Sequence, residues 1–510
     1  MEKRAKHIMI QGTSSNVGKS LLTAALCRIF HQDGWKVAPF KAQNMALNSF
    51  VTISGGEIGR ATAVQAEAAG VEPTVDMNPI LLKPTGNACS QVIVQGKAIG
   101  NLSAREYHEQ YGLKAFVKVA ESLNRLEAEY DLLVIEGAGS PAEVNLKAND
   151  IVNMRIARHT KSPVLLVADI DRGGALASVV GTLELLDEEE RDLVAGIIIN
   201  KFRGDIKLLE PALTFLEEKT GKPVLGVIPH LGDHGIEEED SVVLDEKQKA
   251  AQAGEIDIVV LRTPRISNFT DFLALSLEED VRVRYVDRPE DLGNPDLLIL
   301  PGSKNTIEDL LYLRQSGLEA KILALHGRGT PVIGICGGYQ MLGERIEDPL
   351  GVESDRKEVS GLGLLPLVTT FAAEKVTQQA TASCVNQKFL DQSISLEGLV
   401  GYEIHMGETK ISEEITNAFY IVRQNGQSEP DGAISADGTV MGTYLHGVFD
   451  HDNYRNKIIK SLRRKKGMLK KDEKENNFVT KKQQNYDKLA NMVRSNLDIK
   501  AILKIVEAGK

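Results

Sequence analysis

Two short glycine-rich stretches carry most of the chemistry this sequence offers. The first is Gly12-Thr13-Ser14-Ser15-Asn16-Val17-Gly18-Lys19-Ser20, placed between the strand-like run His7 to Gln11 and the helical run Leu21 to Phe30. Backbone N–H groups from Gly12 through Ser15, Asn16, Val17 and Gly18, with the N-terminus of the helix that follows, can cradle phosphates. Lys19 adds a cation, and the Ser20 hydroxyl can ligate Mg2+, so a nucleoside triphosphate is implied. The spacing is unusual, because five residues rather than four separate Gly12 from Gly18. The second stretch is Gly334-Ile335-Cys336-Gly337-Gly338-Tyr339-Gln340, behind the apolar run Pro331 to Ile335. A nucleophile flanked by glycines on a tight strand-to-helix turn is held exposed, which suits a thiol that attacks a carbonyl. A small buried cysteine in a glycine-rich turn is the bland alternative.

Other residues qualify by position. Glu136, in Val134-Ile135-Glu136-Gly137-Ala138-Gly139, is an acid at the end of an apolar strand, where Mg2+ beside phosphates needs an oxygen ligand. Asp169 and Asp171 stand near the end of another such run, although a turn or helix cap explains them almost equally well. Lys41 closes the second strand-like run and can neutralise a phosphoryl group in transfer. The amides Gln43, Asn44 and Asn48 that follow it can orient a large polar substrate. A thiol nucleophile needs a base. His446, in Gly442-Thr443-Tyr444-Leu445-His446-Gly447, is the preferred candidate and His405, in Gly401-Tyr402-Glu403-Ile404-His405-Met406-Gly407, the rival.

The elements that must position these groups alternate short β-branched runs with helical patterns, the signature of an α/β fold with parallel sheets. Strands are predicted at His7 to Gln11, Lys36 to Phe40, Leu132 to Glu136, Pro163 to Ala168, Gly196 to Asn200 and Pro223 to Ile228. A second series follows at Ile256 to Leu261, Asp296 to Leu300, Pro331 to Ile335 and Thr443 to Leu445. These define a first α/β domain over residues 1–235, a charged linker over 236–255, a second α/β domain over 256–453 and a basic helical extension over 454–510.

The 510-residue chain, 42% hydrophobic and 26% charged, has the composition of a globular protein. Its four cysteines show no CxxC spacing, which argues against a disulfide framework or a zinc site. Residues 451–510 hold 17 basic against 7 acidic side chains, so the net charge of -11 divides into +10 there and -21 before it. An acidic body excludes nucleic acid as the main partner, and the extension reads as a solvated helical appendage. With no apolar run of membrane length and no signal-peptide pattern, the expectation is a cytoplasmic protein with no membrane partner, and assembly into a homo-oligomer is compatible with it.

Several motifs together carry a family resemblance. The Gly12 loop resembles that of dethiobiotin synthetase and its relatives, which use ATP to activate a carboxylate, and Asn200-Lys201 matches the position where those relatives recognise adenine. The Cys336 turn resembles a class I glutamine amidotransferase. In that resemblance Leu300-Pro301-Gly302-Ser303-Lys304 supplies one oxyanion-hole N–H and Gly337 the other, but Val448 stands where a glutamate usually follows the histidine by two, which suggests a Cys336–His446 dyad. Over both domains, the Gly12, Lys41 to Ser49, Met77 to Pro84, Glu136, Cys336 and Gly401 to Gly407 segments resemble the cobyric acid synthase family, and Tyr486-Asp487-Lys488-Leu489-Ala490 resembles that family's closing helix.

The resemblance implies an amide-forming ligase. ATP and Mg2+, held by Lys19, Ser20 and Glu136 with help from Lys41, would activate the b, d, e and g carboxylates of adenosylcobyrinic acid a,c-diamide as acyl phosphates. L-glutamine, opened by Cys336 with His446, would supply the ammonia. The alternatives are a cobyrinic acid a,c-diamide synthase or another P-loop amidotransferase ligase and, outside enzymes, an ATP-dependent switch or scaffold.

Overall fold

The computed structural model describes residues 4–86, 89–107, 111–232, 234–237, 254–411, 415–423, 426–468 and 477–509. The chain forms two compact units. The first comprises Met1–Ala46, Glu57–Ile236 and Lys482–Lys510, and the second Leu47–Gly56 and Glu237–Lys481.

In the first unit the β-branched runs do form one parallel sheet, in the order Val224–Pro229, Val194–Phe202, Val164–Asp169, Lys6–Gly12, Leu132–Glu136, Val37–Phe40. All six predicted strands are present, Leu132–Glu136 with the same bounds and the others with ends shifted by at most two residues. The apolar runs are buried on both faces because successive side chains point opposite ways: Ile8 and Ile10 enter one apolar cluster, Met9 the other. Register sets the site. Ile10 stands beside Glu136 in the ladder and Gly12 beside Val167, so the Gly12 loop and Glu136 leave the sheet at the same edge. A smaller sheet of Gln43–Met45, Ile80–Pro84, Cys89–Val94 and Lys97–Ser103 stands apart.

The extension is no solvated appendage. Helices Phe478–Asn496 and Ile499–Ala508 carry Tyr486, Leu489, Val493 and Ile502 into the apolar cluster that also holds Ile8, Leu26 and Phe30. The Tyr486 hydroxyl donates to Glu67, Arg28 pairs with Asp487, and Leu497 bridges to Gly226 between the two helices. Lys488, Lys500 and Lys504 on these helices are exposed, whereas Arg455 and Arg463 earlier in the extension are buried and paired with Glu278 and Asp280, so net charge was a poor guide to burial here.

The second unit is built on the parallel order Val281–Val286, Ile256–Leu261, Leu297–Leu300, Val332–Ile335, Val440–Thr443, with Ala433–Ile434 antiparallel at the end. The strand Val281–Val286 has no counterpart among the predicted runs. A second, mixed sheet includes the long antiparallel hairpin Leu367–Phe389 and Gln392–Ile411. The chain returns to this unit early, through Leu47–Gly56, which the contiguous boundary 1–235 does not capture. Most of the linker assigned to 236–255, and the pair Lys470–Lys471, lie outside the described residues. Among the described residues no helix is long and apolar enough to cross a membrane.

Candidate active site

Each unit gathers chemistry at the C-terminal edge of its own sheet. In the first, helix Lys19–Gln32 begins at Lys19 with Gly18 as its N-cap, in a left-handed conformation (φ 96°), and has no acid in its first turn. Its N-terminal N–H groups and dipole are thereby left for an anion. A Cβ on Gly12 would collide with Val17, the Ser14 carbonyl and the Lys19 ammonium, so only glycine lets the loop close on Lys19. The Lys19 ammonium donates to the carbonyls of Ser14 and Gly139, both at 3.1 Å. Burial lowers its pKa to about 8, with Glu136 pulling upward and Lys41 downward.

Glu136 is the hub. Its Oε1 accepts from Ser20 Oγ at 2.8 Å and from Lys41 Nζ at 2.9 Å, and its Oε2 from Gln65 Nε2 at 2.6 Å. Burial pushes the carboxyl up, but the Lys41 charge and the bonds from Gln65, Lys41 and Ser20 outweigh it and hold the pKa below the ordinary value. Gln65, on helix Arg60–Ala68, was not singled out by sequence: glutamines on helices are common, and only the fold reveals that this one points at Glu136. Its Oε1 is buried without a partner, as are Gln11 Oε1 and Asn153 Oδ1. Asn200 Nδ2 donates to the Val17 carbonyl, and Lys201 Nζ to that of Asn16 while pairing with Asp169 at 3.0 Å, so both residues lie against the Gly12 loop. Asp171 pairs with Arg203. Of the three expected substrate amides, Gln43, which accepts from the Tyr107 hydroxyl, and Asn44 belong to this unit, whereas Asn48 belongs to the other.

In the second unit three strand ends meet. Cys336 follows Val332–Ile335 and sits at φ 51°, ψ -109°, a conformation non-glycine residues avoid and the nucleophile elbow requires. Gly338 packs so tightly on Leu300 that a Cβ there would overlap the Leu300 backbone, and one on Gly337 would stand 2.9 Å from the Ser303 nitrogen. The Gly302–Ser303 and Gly337 backbones are therefore side by side, as an oxyanion hole needs. Asp309 fixes the first of them, accepting from Ser303 Oγ at 2.6 Å and Arg265 N–H at 3.0 Å, and Glu353 accepts from Thr306 N–H at 2.7 Å.

His446 lies three residues beyond strand Val440–Thr443, not at a strand end, and is fully buried. The Cys336 thiol donates to the Ile404 carbonyl at 3.5 Å and interacts electrostatically with His446, whose Nδ1 stands 2.7 Å from Asp271 Oδ2. Burial disfavours the charged ring, yet the Asp271 carboxylate and Cys336 push its pKa up to about 10. The expected dyad is thus a Cys336–His446–Asp271 constellation, with the acid from the 3-10 turn Phe269–Phe272 rather than from the position after the histidine. No periodicity or spacing marks Asp271; its separation from His446 in sequence hid it. The rival His405 bonds Gly407 and Glu403 and stacks on Tyr444, while its neighbour Tyr402 stacks on His446 with ring centroids 4.9 Å apart.

Comparison with known proteins finds a family match over each half of the chain. A family model described as the CobQ/CobB/MinD/ParA nucleotide binding domain matches residues 8–237, and one described as the CobB/CobQ-like glutamine amidotransferase domain matches 257–454. A protein of Moorella thermoacetica named cobyric acid synthase is 56% identical over 505 residues, covering 98% of this chain and 97% of its own. Proteins of the same name from Pelotomaculum thermopropionicum (54% identical, covering 98% and 97%) and Dehalococcoides mccartyi (51%, covering 100% of each) are similar along the same length.

Proposed function

This chain belongs to the cobyric acid synthase family, glutamine-dependent amide-forming ligases, and from that premise we propose how its two sites divide the reaction. The first unit binds ATP and turns the b, d, e and g carboxylates of adenosylcobyrinic acid a,c-diamide into acyl phosphates; the second frees ammonia from L-glutamine, which displaces phosphate from each.

In the first unit the Gly12–Gly18 backbone and the N-terminus of helix Lys19–Gln32 hold the phosphates, Lys19 and Lys41 balance their charge, and Asn200 recognises the base. Gln43 and Asn44 orient the corrinoid. The oxygen donors fit Mg2+, a hard cation that takes few protein ligands: Ser20 Oγ and Glu136 stand together, and the unpartnered Gln65 Oε1 lies in the same pocket. When bound there, Mg2+ would draw charge from the phosphate oxygens.

In the second unit Asp271 keeps the proton on His446 Nδ1, so that Nε2 takes the Cys336 proton. The thiolate attacks the glutamine amide carbon, and the Gly302 and Gly337 N–H groups meet the oxyanion. His446 returns the proton to the departing ammonia, and water then opens the glutamyl thioester. The observation that carries this reading is the strained Cys336 turn in electrostatic reach of a histidine whose far nitrogen is held by a carboxylate. Cys336→Ala is expected to abolish glutamine-driven amidation of the a,c-diamide, followed by product mass, and to keep amidation driven by ammonium salts. Loss of both in a folded variant would contradict the division.

A further inference from the structure

Asn268 stands where the amidotransferase base meets a segment from far earlier in the chain. It is 2% exposed and adopts φ 53°, a left-handed conformation that most side chains avoid and asparagine tolerates better. Its Oδ1 accepts the Ser49 backbone N–H at 2.9 Å, which fixes which end of the amide points where. The other end, Nδ2, therefore faces His446 Nε2, at 3.5 Å. Asn48 and Tyr402 support the same contact: Asn48 Oδ1 accepts from Phe269 N–H, and the Tyr402 hydroxyl reaches the Ser49 carbonyl.

The orientation has a chemical sign. With Nδ1 committed to Asp271, His446 exchanges its catalytic proton at Nε2. An amide N–H aimed at Nε2 suits the neutral ring, whose lone pair accepts it, and opposes the protonated ring, where two donors would meet. A half-turn of the amide would present Oδ1 to Nε2–H and favour the thiolate–imidazolium pair, but would turn Nδ2 toward the Ser49 N–H. The two orientations are mutually exclusive for as long as Ser49 stays in place. The other groups facing this proton are the Cys336 thiol, the Asp271 carboxylate and the Tyr402 ring on His446, with the Tyr444 phenol beside Cys336.

Ser49 lies in the ten-residue excursion Leu47–Gly56. The chain that enters it carries Lys41, and the chain that leaves it carries Gln65; both side chains end on Glu136. Extending the function proposed above, and resting on it, we propose that Asn268 is a positioning residue whose amide orientation sets whether His446 can keep the Cys336 proton, and that the excursion sets this orientation through the Ser49 N–H according to occupancy of the nucleotide site.

The test is alkylation of Cys336 by iodoacetamide across pH in the full chain, read by peptide mass, with the heat-unfolding midpoint as the control for folding. Asn268→Asp offers an acceptor to both Ser49 and Nε2–H and tolerates the left-handed backbone. It is expected to lower the inflection by about one pH unit, roughly tenfold faster alkylation at a fixed lower pH. Asn268→Gly, which also suits φ 53°, and Ser49→Pro, which deletes the N–H, are expected to shift it the same way by less. ATP with Mg2+ should move the wild-type inflection toward that of Asn268→Asp and leave the variant unmoved. Folded Asn268 variants that titrate with the wild type, or a wild type indifferent to ATP, would overturn the proposal while Cys336-dependent glutamine hydrolysis stands. Hydrolysis that survives Cys336→Ala would instead overturn the function on which it rests.

Discussion

In the proposed mechanism Asp271 gives the base His446 a defined tautomer, and its charge offsets the burial of the ring. Asp271→Asn retains the shape and removes the charge; glutamine hydrolysis is expected to fall about 10²- to 10⁴-fold in steady-state assays, the loss such a carboxylate carries in hydrolytic triads. In the other unit, free Lys19 loses its proton near pH 8, and phosphates beside it would restore the charge. Nucleotide binding at about pH 8.5 is therefore expected to take up protons, seen as a calorimetric heat that varies with buffer ionisation enthalpy, and affinity should weaken as pH rises through 8. The residues legible in sequence were those whose chemistry is announced by their immediate neighbours: Lys19 and Ser20 by the glycine loop, Cys336 by its elbow. Asp271, Gln65 and Asn268 act through partners distant in sequence, so no local pattern marks them.

At the scale of elements, the parallel strands were legible because burial on both faces leaves near-continuous apolar runs bounded by glycine or charge. Val281–Val286 escaped because arginines 282 and 284 interrupt the run; Arg284 is nonetheless buried, paired with Asp257 at 2.8 Å and donating to the Asp291 and Leu292 carbonyls. The amphipathic pattern of Tyr486 to Val506 was visible, but not the break in it or the surface it covers. Gly226 reports that surface. At φ 153°, with the Asn496 carbonyl and Leu497 backbone against its α-carbon, it leaves no room for a side chain. Gly226→Ala is expected to destabilise the first unit by about 2–4 kcal/mol, measured by denaturant unfolding, through displacement of the terminal helices.

For the molecule as a whole, the two family matches cover residues 8–237 and 257–454, yet the compact units are not contiguous stretches of chain. A fragment of residues 1–235 lacks the helices that bury Leu26, Phe30 and Val17 in one cluster, and is expected to aggregate or show no cooperative melting, with a peptide of residues 477–510 restoring solubility in trans. A soluble, cooperatively melting 1–235 would contradict that dependence. The return of the last helices to the first sheet also bears on the order in which the protein matures at the ribosome. The half translated first must wait for roughly 250 further residues, about 12 to 50 s at roughly 5–20 residues per second, before its covering arrives. Its sheet is begun first and covered last, so a truncated translation product would release the second unit near completion while the first still lacks its covering helices.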